Sequence, residues 1–322
     1  MIVIDNVGAE VSSRSPSADM LRRVQWAIML LLSVVIYGSH APLISICRVD
    51  GVIPFSSSAV VLLIEVLKFI ISLACHLITE NKPFDMSVSW RFALPYAFPA
   101  ILYGVNNNLV IHMQHFMDPS SFQVLSNLKI VSTALLYSIL LGQRLSIRKW
   151  FAIFLLTAAG VFYSYGGIQD VEKASAAAQL YITLPGLLIM VIYCLISGMS
   201  AVYTEMTLKT QKIPLNLQNI FLYSFGIVIN LLAHSSGSHN GGFLDGFSIW
   251  VFVIVLSQAF NGLIMSVVMK HSSNITRLFI ISCSMLVNGL LSYMLLQLQL
   301  TFLFFLAVVL IGFAVYLFYG IR

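Results

Sequence analysis

Charge is what this chain has least of. Asp, Glu, Lys and Arg make up 9% of its 322 residues, where soluble domains carry about a quarter. A soluble fold of this length could bury a large core, but its surface would need far more charge than 17 basic and 12 acidic side chains supply. With 59% of residues hydrophobic, the bilayer is the missing solvent and the chain reads as a polytopic membrane protein. Cysteine is scarce as well. Cys47, Cys75, Cys194 and Cys283 stand at wide, unrelated spacings in or beside apolar segments. That excludes the close pairs of a metal or redox motif and gives no support to a disulfide framework. Paired intramembrane carboxylates, a Ser-His-Asp set, a spaced His or Cys cluster and a Gly-rich phosphate loop are also missing from the sequence. No enzymatic activity, cofactor or metal is therefore expected. The net charge of +5 accompanies no RNA- or DNA-binding pattern, so no nucleic-acid partner is expected.

What is present is long apolar sequence. Residues 1–23 are polar and Ser-rich and read as a disordered cytosolic tail. The first long apolar run begins only at Val24, too late and too long for a signal peptide. Ten segments of spanning length follow, at 24–46, 58–79, 91–113, 120–142, 147–166, 180–208, 214–234, 247–269, 275–296 and 301–319. All connections are short and leave no room for a soluble domain. The expected fold is all-α, with ten transmembrane helices and both termini on one side.

Orientation follows from counting basic residues. Cytosolic termini place Arg14, Arg22, Arg23, Lys82, Arg91, Arg144, Arg148, Lys149, Lys209, Lys212, Lys270, Arg277 and Arg322 inside, against Arg48 and Lys173 outside. Only Lys68 and Lys129 remain, both within spans. The same topology turns the sequon Asn274-Ile-Thr276 to the cytosol, where it stays unglycosylated.

The two halves echo one another. A helix end, the break Gly142-Gln-Arg-Leu-Ser146 and an apolar helix ending Tyr163-Ser-Tyr-Gly-Gly167 recur as a helix end, a break up to Thr301 and a helix ending Tyr316-Leu-Phe-Tyr-Gly320. Ser146 and Thr301 would each cap the helix that follows. The domains expected are five-helix repeats at 24–166 and 180–322, joined by a lumenal loop at 167–179. Five spans is an odd number, so the second repeat enters the membrane inverted, which places a substrate site between the halves.

Polar residues inside the spans carry the functional information. Tyr103, Asn106, Asn107 and Asn108 occupy about one turn of span three, and consecutive amides cannot share one face. In span four, Phe122, Ser126, Lys129 and Thr133 recur at helical spacing around a cation that costs several kcal/mol in hydrocarbon by insertion scales. Lys129 either meets an anionic ligand or pairs with a buried acid. Glu65 has Lys68 one turn away as a structural ion pair, and Glu205 has Lys209. Span seven sets Asn219, Tyr223, Gly226 and Asn230 on one face. Gln258 and Asn261 sit beside Gly262, where packing competes with recognition, and His40 beside Pro42 reads as a hydrogen-bonded core group.

The stretches Leu102-Tyr-Gly-Val-Asn-Asn-Asn-Leu-Val110, Phe122-Gln-Val-Leu-Ser-Asn-Leu-Lys129, Ser197-Gly-Met-Ser-Ala-Val-Tyr-Thr-Glu205, Leu217-Gln-Asn-Ile-Phe-Leu-Tyr223 and Val267-Val-Met-Lys270-His-Ser-Ser-Asn-Ile-Thr-Arg277 occur in order. On these, the chain resembles the nucleotide-sugar transporter family, and within it the CMP-sialic acid and UDP-galactose transporters of solute carrier family 35, subfamily A. The resemblance implies a Golgi membrane antiporter with the ten-helix, inverted-repeat fold of the drug/metabolite transporter superfamily. Such an antiporter would import a pyrimidine nucleotide-linked sugar or sugar alcohol, a UDP-, CMP- or CDP-conjugate, in exchange for a nucleoside monophosphate. It implies substrate contacts at Tyr103, Asn106, Asn107, Lys129, Asn219, Tyr223 and Arg277, with Lys129 and Arg277 neutralising phosphate. The chain departs from the family's pattern at Phe122, where relatives carry Tyr beside the lysine, at Arg277, where they carry Lys, and at Asn106, where Gln is commoner. A sugar is therefore not carried over. Exchange by alternating access is expected, with no ion gradient. The rival reading is a membrane scaffold that keeps the fold and associates with a second copy, other transporters or glycosyltransferases.

Overall fold

The computed structural model describes residues 16–49, 53–80, 90–113, 115–174, 182–236, 242–296 and 299–320. The start of the tail and the middle of the central loop lie outside them. The first helix, α1 (Pro16–Ile46), opens at Pro16 rather than Val24, so residues 16–23 are helical where a tail was expected. A proline is well placed at the first helical position, where its missing N–H leaves no bond unmade. It is followed by α2 (Ser57–Glu80) and by a third span divided into the turn Trp90–Ala93, a 3-10 turn Leu94–Tyr96 and α3 (Ala97–Met113). Pro95 lies within that 3-10 turn.

The fourth span is also divided. Helix α4 (Pro119–Leu125) passes through a 3-10 turn, Ser126–Leu128, into α5 (Lys129–Leu140). Then come α6 (Ile147–Ala174), α7 (Leu184–Thr210), α8 (Leu215–Ser236), α9 (Ile249–His271), α10 (Asn274–Leu296) and α11 (Phe302–Val315), which ends in a π turn, Tyr316–Gly320. Helix α6 continues to Ala174, past the expected end at 166. Among the described residues, nine spans are long and apolar enough to cross a membrane, and the divided third span is the tenth crossing. Large apolar side chains such as Phe302, Val309, Leu188 and Ile139 stand exposed on the outer surface, as lipid-facing residues do and those of a soluble protein rarely do.

The packing of the helices is itself two-fold. The heaviest contacts pair α6 with α11, α2 with α8, α1 with α10, α5 with α7, α3 with α7 and α1 with α9. Exchanging each span with the one five places later maps the first two pairs onto themselves. It maps α1–α10 onto α5–α7, and α3–α7 onto α1–α9. Equivalent caps follow the same rule. Asp118 accepts from Ser121 N at 2.8 Å before span four, and Ser273 accepts from Thr276 N at 3.2 Å before span nine. Ser146 and Thr301 accept from Lys149 N (3.4 Å) and Phe304 N (3.3 Å) before spans five and ten. Repeats of five spans related in this way cross the membrane in opposite senses.

Glycines set the two equivalent close crossings. A Cβ at Gly38 would stand 2.6 Å from Ser284 O on α10, and one at Gly198 would stand 3.1 Å from Thr133 Cα on α5. Small residues let transmembrane backbones approach where no hydrophobic force drives helices together. Gly38→Val is therefore expected to cost about 2–3 kcal/mol through overpacking against backbone that cannot yield. Thermal unfolding in detergent checks it, and an unchanged melting temperature would show that α1 and α10 separate freely.

Candidate functional site

An elongated cavity of about 440 Å³ lies between the two repeats. Its longest wall is α9, whose Ile254, Gln258, Asn261, Gly262, Met265, Ser266 and Met269 fall on one stripe at helical spacing. That stripe is about 22 Å long at 1.5 Å per residue. Near the C-terminal end of α9 is Arg277, whose Nη1 donates to the Tyr103 hydroxyl at 3.4 Å and lies 3.9 Å from Met269 Sδ. Tyr103 on α3 thus fixes the guanidinium that α10 carries, with Ser200 and Thr204 of α7 near its hydroxyl.

Midway along, Tyr223 shares a hydrogen bond with Ser266 at 2.9 Å, and Lys68 Nζ stands 4.4 Å from the centre of the Tyr223 ring. Lys68 also lies 2.5 Å from Glu65 Oε1. This pair is seated between two glycines: a Cβ at Gly226 would meet Glu65 Oε2 at 2.8 Å, and one at Gly262 would meet Lys68 Cδ at 2.7 Å. Both charged residues line the cavity. Sequence reading found their mutual pairing but not that location, which depends on α8 and α9 and has no local signal.

Of the residues singled out in the sequence, Tyr103, Asn107, Tyr223 and Arg277 line this cavity. Asn106, Phe122, Lys129 and Asn219 do not. Phe122 packs edge-on to Tyr193 with ring centres 5.4 Å apart, in a cluster with Met113 and Met190. Asn106 is buried near Tyr193, with its amide oxygen unpartnered. Asn219 is buried with its amide oxygen unpartnered.

Lys129 stands just behind the wall, close enough to Arg277 for the two cations to repel. Its position depends on the 3-10 turn. Asn127 donates from Nδ2 to Gln123 O, Val124 O and Ser164 Oγ, each at 3.1 Å, and so holds the break against α6. Short 3-10 insertions within helices commonly mark strain or a hinge. Among the described residues the ion pairs are Lys68–Glu65 and Lys209–Glu205, and Lys129 belongs to neither.

Two cations and one carboxylate therefore face the cavity, with a third cation behind it, and the paired acid leaves Arg277 to meet an incoming anion. Among the described residues no group of three metal-ligating side chains occurs. Nor does any nucleophile–base pair stand in the cavity. The arrangement suits binding of an anionic, ring-bearing solute: the guanidinium offers a fork of donors, and the tyrosines offer faces for packing.

A family model described as nucleotide-sugar transporter matches residues 23–319. A Xenopus tropicalis protein named "Probable UDP-sugar transporter protein SLC35A4" is 69% identical, covering 98% of this chain and 99% of its own. Proteins of the same name from Danio rerio (54% identical; 97% and 99% covered) and Homo sapiens (51%; 95% and 98%) are also similar. A solved crystal structure of another protein shares the fold, with a TM-score of 0.67 over 91% of this chain and 96% of that one at 12% identity. A family match across nearly the whole chain, with a relative 69% identical along nearly its whole length, places the protein: the chain belongs to the nucleotide-sugar transporter family.

Proposed function

We propose that this chain is a Golgi antiporter that carries a pyrimidine nucleotide-linked sugar or sugar alcohol into the lumen and returns the nucleoside monophosphate. The observation that carries the reading is Arg277, an arginine unpaired by any acid among the described residues and held by Tyr103 in a cavity between the repeats. A phosphate can leave water for such a site because a cation and a fork of donors replace its hydration. Substrate and monophosphate share that phosphate. Both therefore compete for one cavity, and loading by either permits the swing between faces. The names of the relatives favour a uridine nucleotide; CMP- and CDP-conjugates present the same phosphate and a similar ring.

The excess of basic residues in alternate loops supports cytosolic termini. On that orientation, the contacts that tie Lys209 to Ser272 O (2.5 Å), Lys270 to Ile213 O (3.3 Å) and Gln218 to Ile213 O (2.8 Å) lie at the cytosolic ends of spans six to nine. Of these, the Lys209 and Lys270 contacts join different spans at that end.

Counterflow in proteoliposomes loaded with UMP or CMP tests the proposal. Uptake of a labelled matching nucleotide or conjugate is expected only with internal nucleotide present and without any ion gradient. Folded protein that exchanges no pyrimidine nucleotide would leave the scaffold reading in possession.

A further inference from the structure

The end of the cavity opposite Arg277 carries polar groups that phosphate binding does not use. Ser33 Oγ donates to Asn261 Oδ1 at 2.7 Å and sets the register of α1 against α9. The two helices cross in opposite senses, so the residues of α1 after Ser33 face those of α9 before Asn261. His40 accordingly comes level with Ile254, about one turn beyond Gln258, and both His40 and Gln258 line the cavity. His40 Nδ1 and Gln258 Nε2 are each buried without a hydrogen-bond partner. Asn230, whose Nδ2 donates to Gly226 O at 2.8 Å, lines the cavity beside the Glu65 carboxylate. A buried polar atom without a partner loses its bonds to water and gains nothing in return. Two residues of one cavity wall hold such atoms, and a rotation of either side chain would turn its atom to a ligand in the cavity.

We infer that His40, Gln258 and Asn230 form the specificity site for the glycosyl or polyol part of the substrate, and that this part is uncharged and hydroxyl-bearing. The inference rests on the nucleotide-transport reading above. Charge gives the first argument. The cavity's cations are Arg277, at the other end, and Lys68, already paired with Glu65. A carboxylated sugar at the His40–Gln258 end would meet no free positive charge and would lie near the Glu65 carboxylate. Shape gives the second. A planar base stacks on aromatic faces, and Tyr103 and Tyr223 are grouped with Arg277 and Lys68. Phe55, an aromatic ring on the far side, is committed edge-on to Phe247 at 6.2 Å. The other walls there are mostly aliphatic, Ile44, Val60, Val61, Ile64 and Ile254, with Ser57 beside Val60 and Tyr37 one turn before His40. Aliphatic walls with an imidazole and two amides suit a non-planar group with several hydroxyls.

The test is ligand-dependent thermal stabilisation of the purified full-length protein. The probes are UMP and CMP, the neutral conjugates UDP-glucose and CDP-glucose, and the acidic conjugates UDP-glucuronate and CMP-N-acetylneuraminate. In the wild type, a neutral conjugate of the preferred base is expected to bind more tightly than the acidic one. Gln258→Leu and His40→Leu should each weaken the neutral conjugate roughly 3- to 10-fold, the loss of one hydrogen bond, and leave the monophosphate within about twofold. Equal weakening of monophosphate and conjugate would show that this end holds the base or ribose and would overturn the inference. So would an acidic conjugate that binds as tightly as the neutral one, a comparison that needs no variant to fold. A wild type that binds none of the six probes would sink the transport reading itself, before any substitution is made.

Discussion

Lys129→Met is expected to raise the thermal stability of the ligand-free protein and to erase the further rise that nucleotide gives the wild type. The first effect follows from position. Lys129 opens α5 after the 3-10 turn, lies outside both ion pairs of the described residues and is repelled by Arg277. Insertion scales put a lysine at the middle of a span near 2.5–3.5 kcal/mol. Partial exposure reduces that figure, so the unbranched, uncharged methionine should recover about 1–3 kcal/mol. The second effect follows from the phosphate contact that the family resemblance implies for Lys129, which lies close to Arg277. A charge-assisted bond to phosphate contributes about 1.5–3 kcal/mol, so apparent affinity should fall roughly 10- to 100-fold. Opposite changes in the two quantities are what a group kept for binding at the expense of stability predicts. Unchanged nucleotide stabilisation in a folded Lys129→Met protein would remove Lys129 from the phosphate site, and unchanged ligand-free stability would show that its charge is already answered.

The fold was legible because its signals are local. Apolar runs gave ten crossings, and the caps at Ser146 and Thr301 lie where short polar breaks precede apolar helices. Boundaries moved where helix continues into polar sequence, as at Pro16 and Ala174. The site was legible only in part, because wall and core differ by one residue, or 100°, around a helix. Asn107 lines the cavity while Asn106 turns to Tyr193. The face drawn through Phe122, Ser126, Lys129 and Thr133 assumed an unbroken α-helix. Three residues of 3-10 turn advance about 120° each instead of 100°, which rotates α4 relative to α5 by about 60°. Phe122 consequently packs on Tyr193, and Thr133 is buried beneath Gly198. His40 read as a satisfied core group, and the structure leaves its Nδ1 without a partner at the cavity. No sequence pattern marks that difference, since it depends on what α9 presents opposite α1.

Glu205→Gln should destabilise the protein by about 2–4 kcal/mol, somewhat below the roughly 3–5 kcal/mol for breaking a wholly buried charge pair. Glu205 is fully buried. One carboxylate oxygen accepts from Lys209 Nζ at 2.5 Å and the other from Asn274 N at 2.6 Å, at the first residue of α10. The carboxylate thus caps a helix from a neighbouring span, where the N-terminal end of the helix dipole favours negative charge. Lys209 extends the link to Ser272 O at 2.5 Å. Glutamine keeps the shape and one acceptor but loses the charge that answers both the lysine and the dipole. Lys209 is 29% exposed and can rehydrate, which places the expected loss toward the lower end. Lys209→Met is the harsher change, because it leaves a wholly buried carboxylate without a counter-ion. The double variant should then recover part of that loss, and the coupling measured by the cycle reports the pair itself. Additive single effects would mean that Glu205 acts on the α10 terminus alone. The same geometry links Glu205 to the cavity: the turn between α9 and α10 leads into the helix that carries Arg277. Loosening Glu205 is therefore expected to shift the Arg277 guanidinium as well as the contacts at this end of the molecule. Counterflow by the Glu205→Gln protein is expected to fall even at temperatures where it remains folded, and full exchange there would separate the Glu205 contacts from the transport cycle.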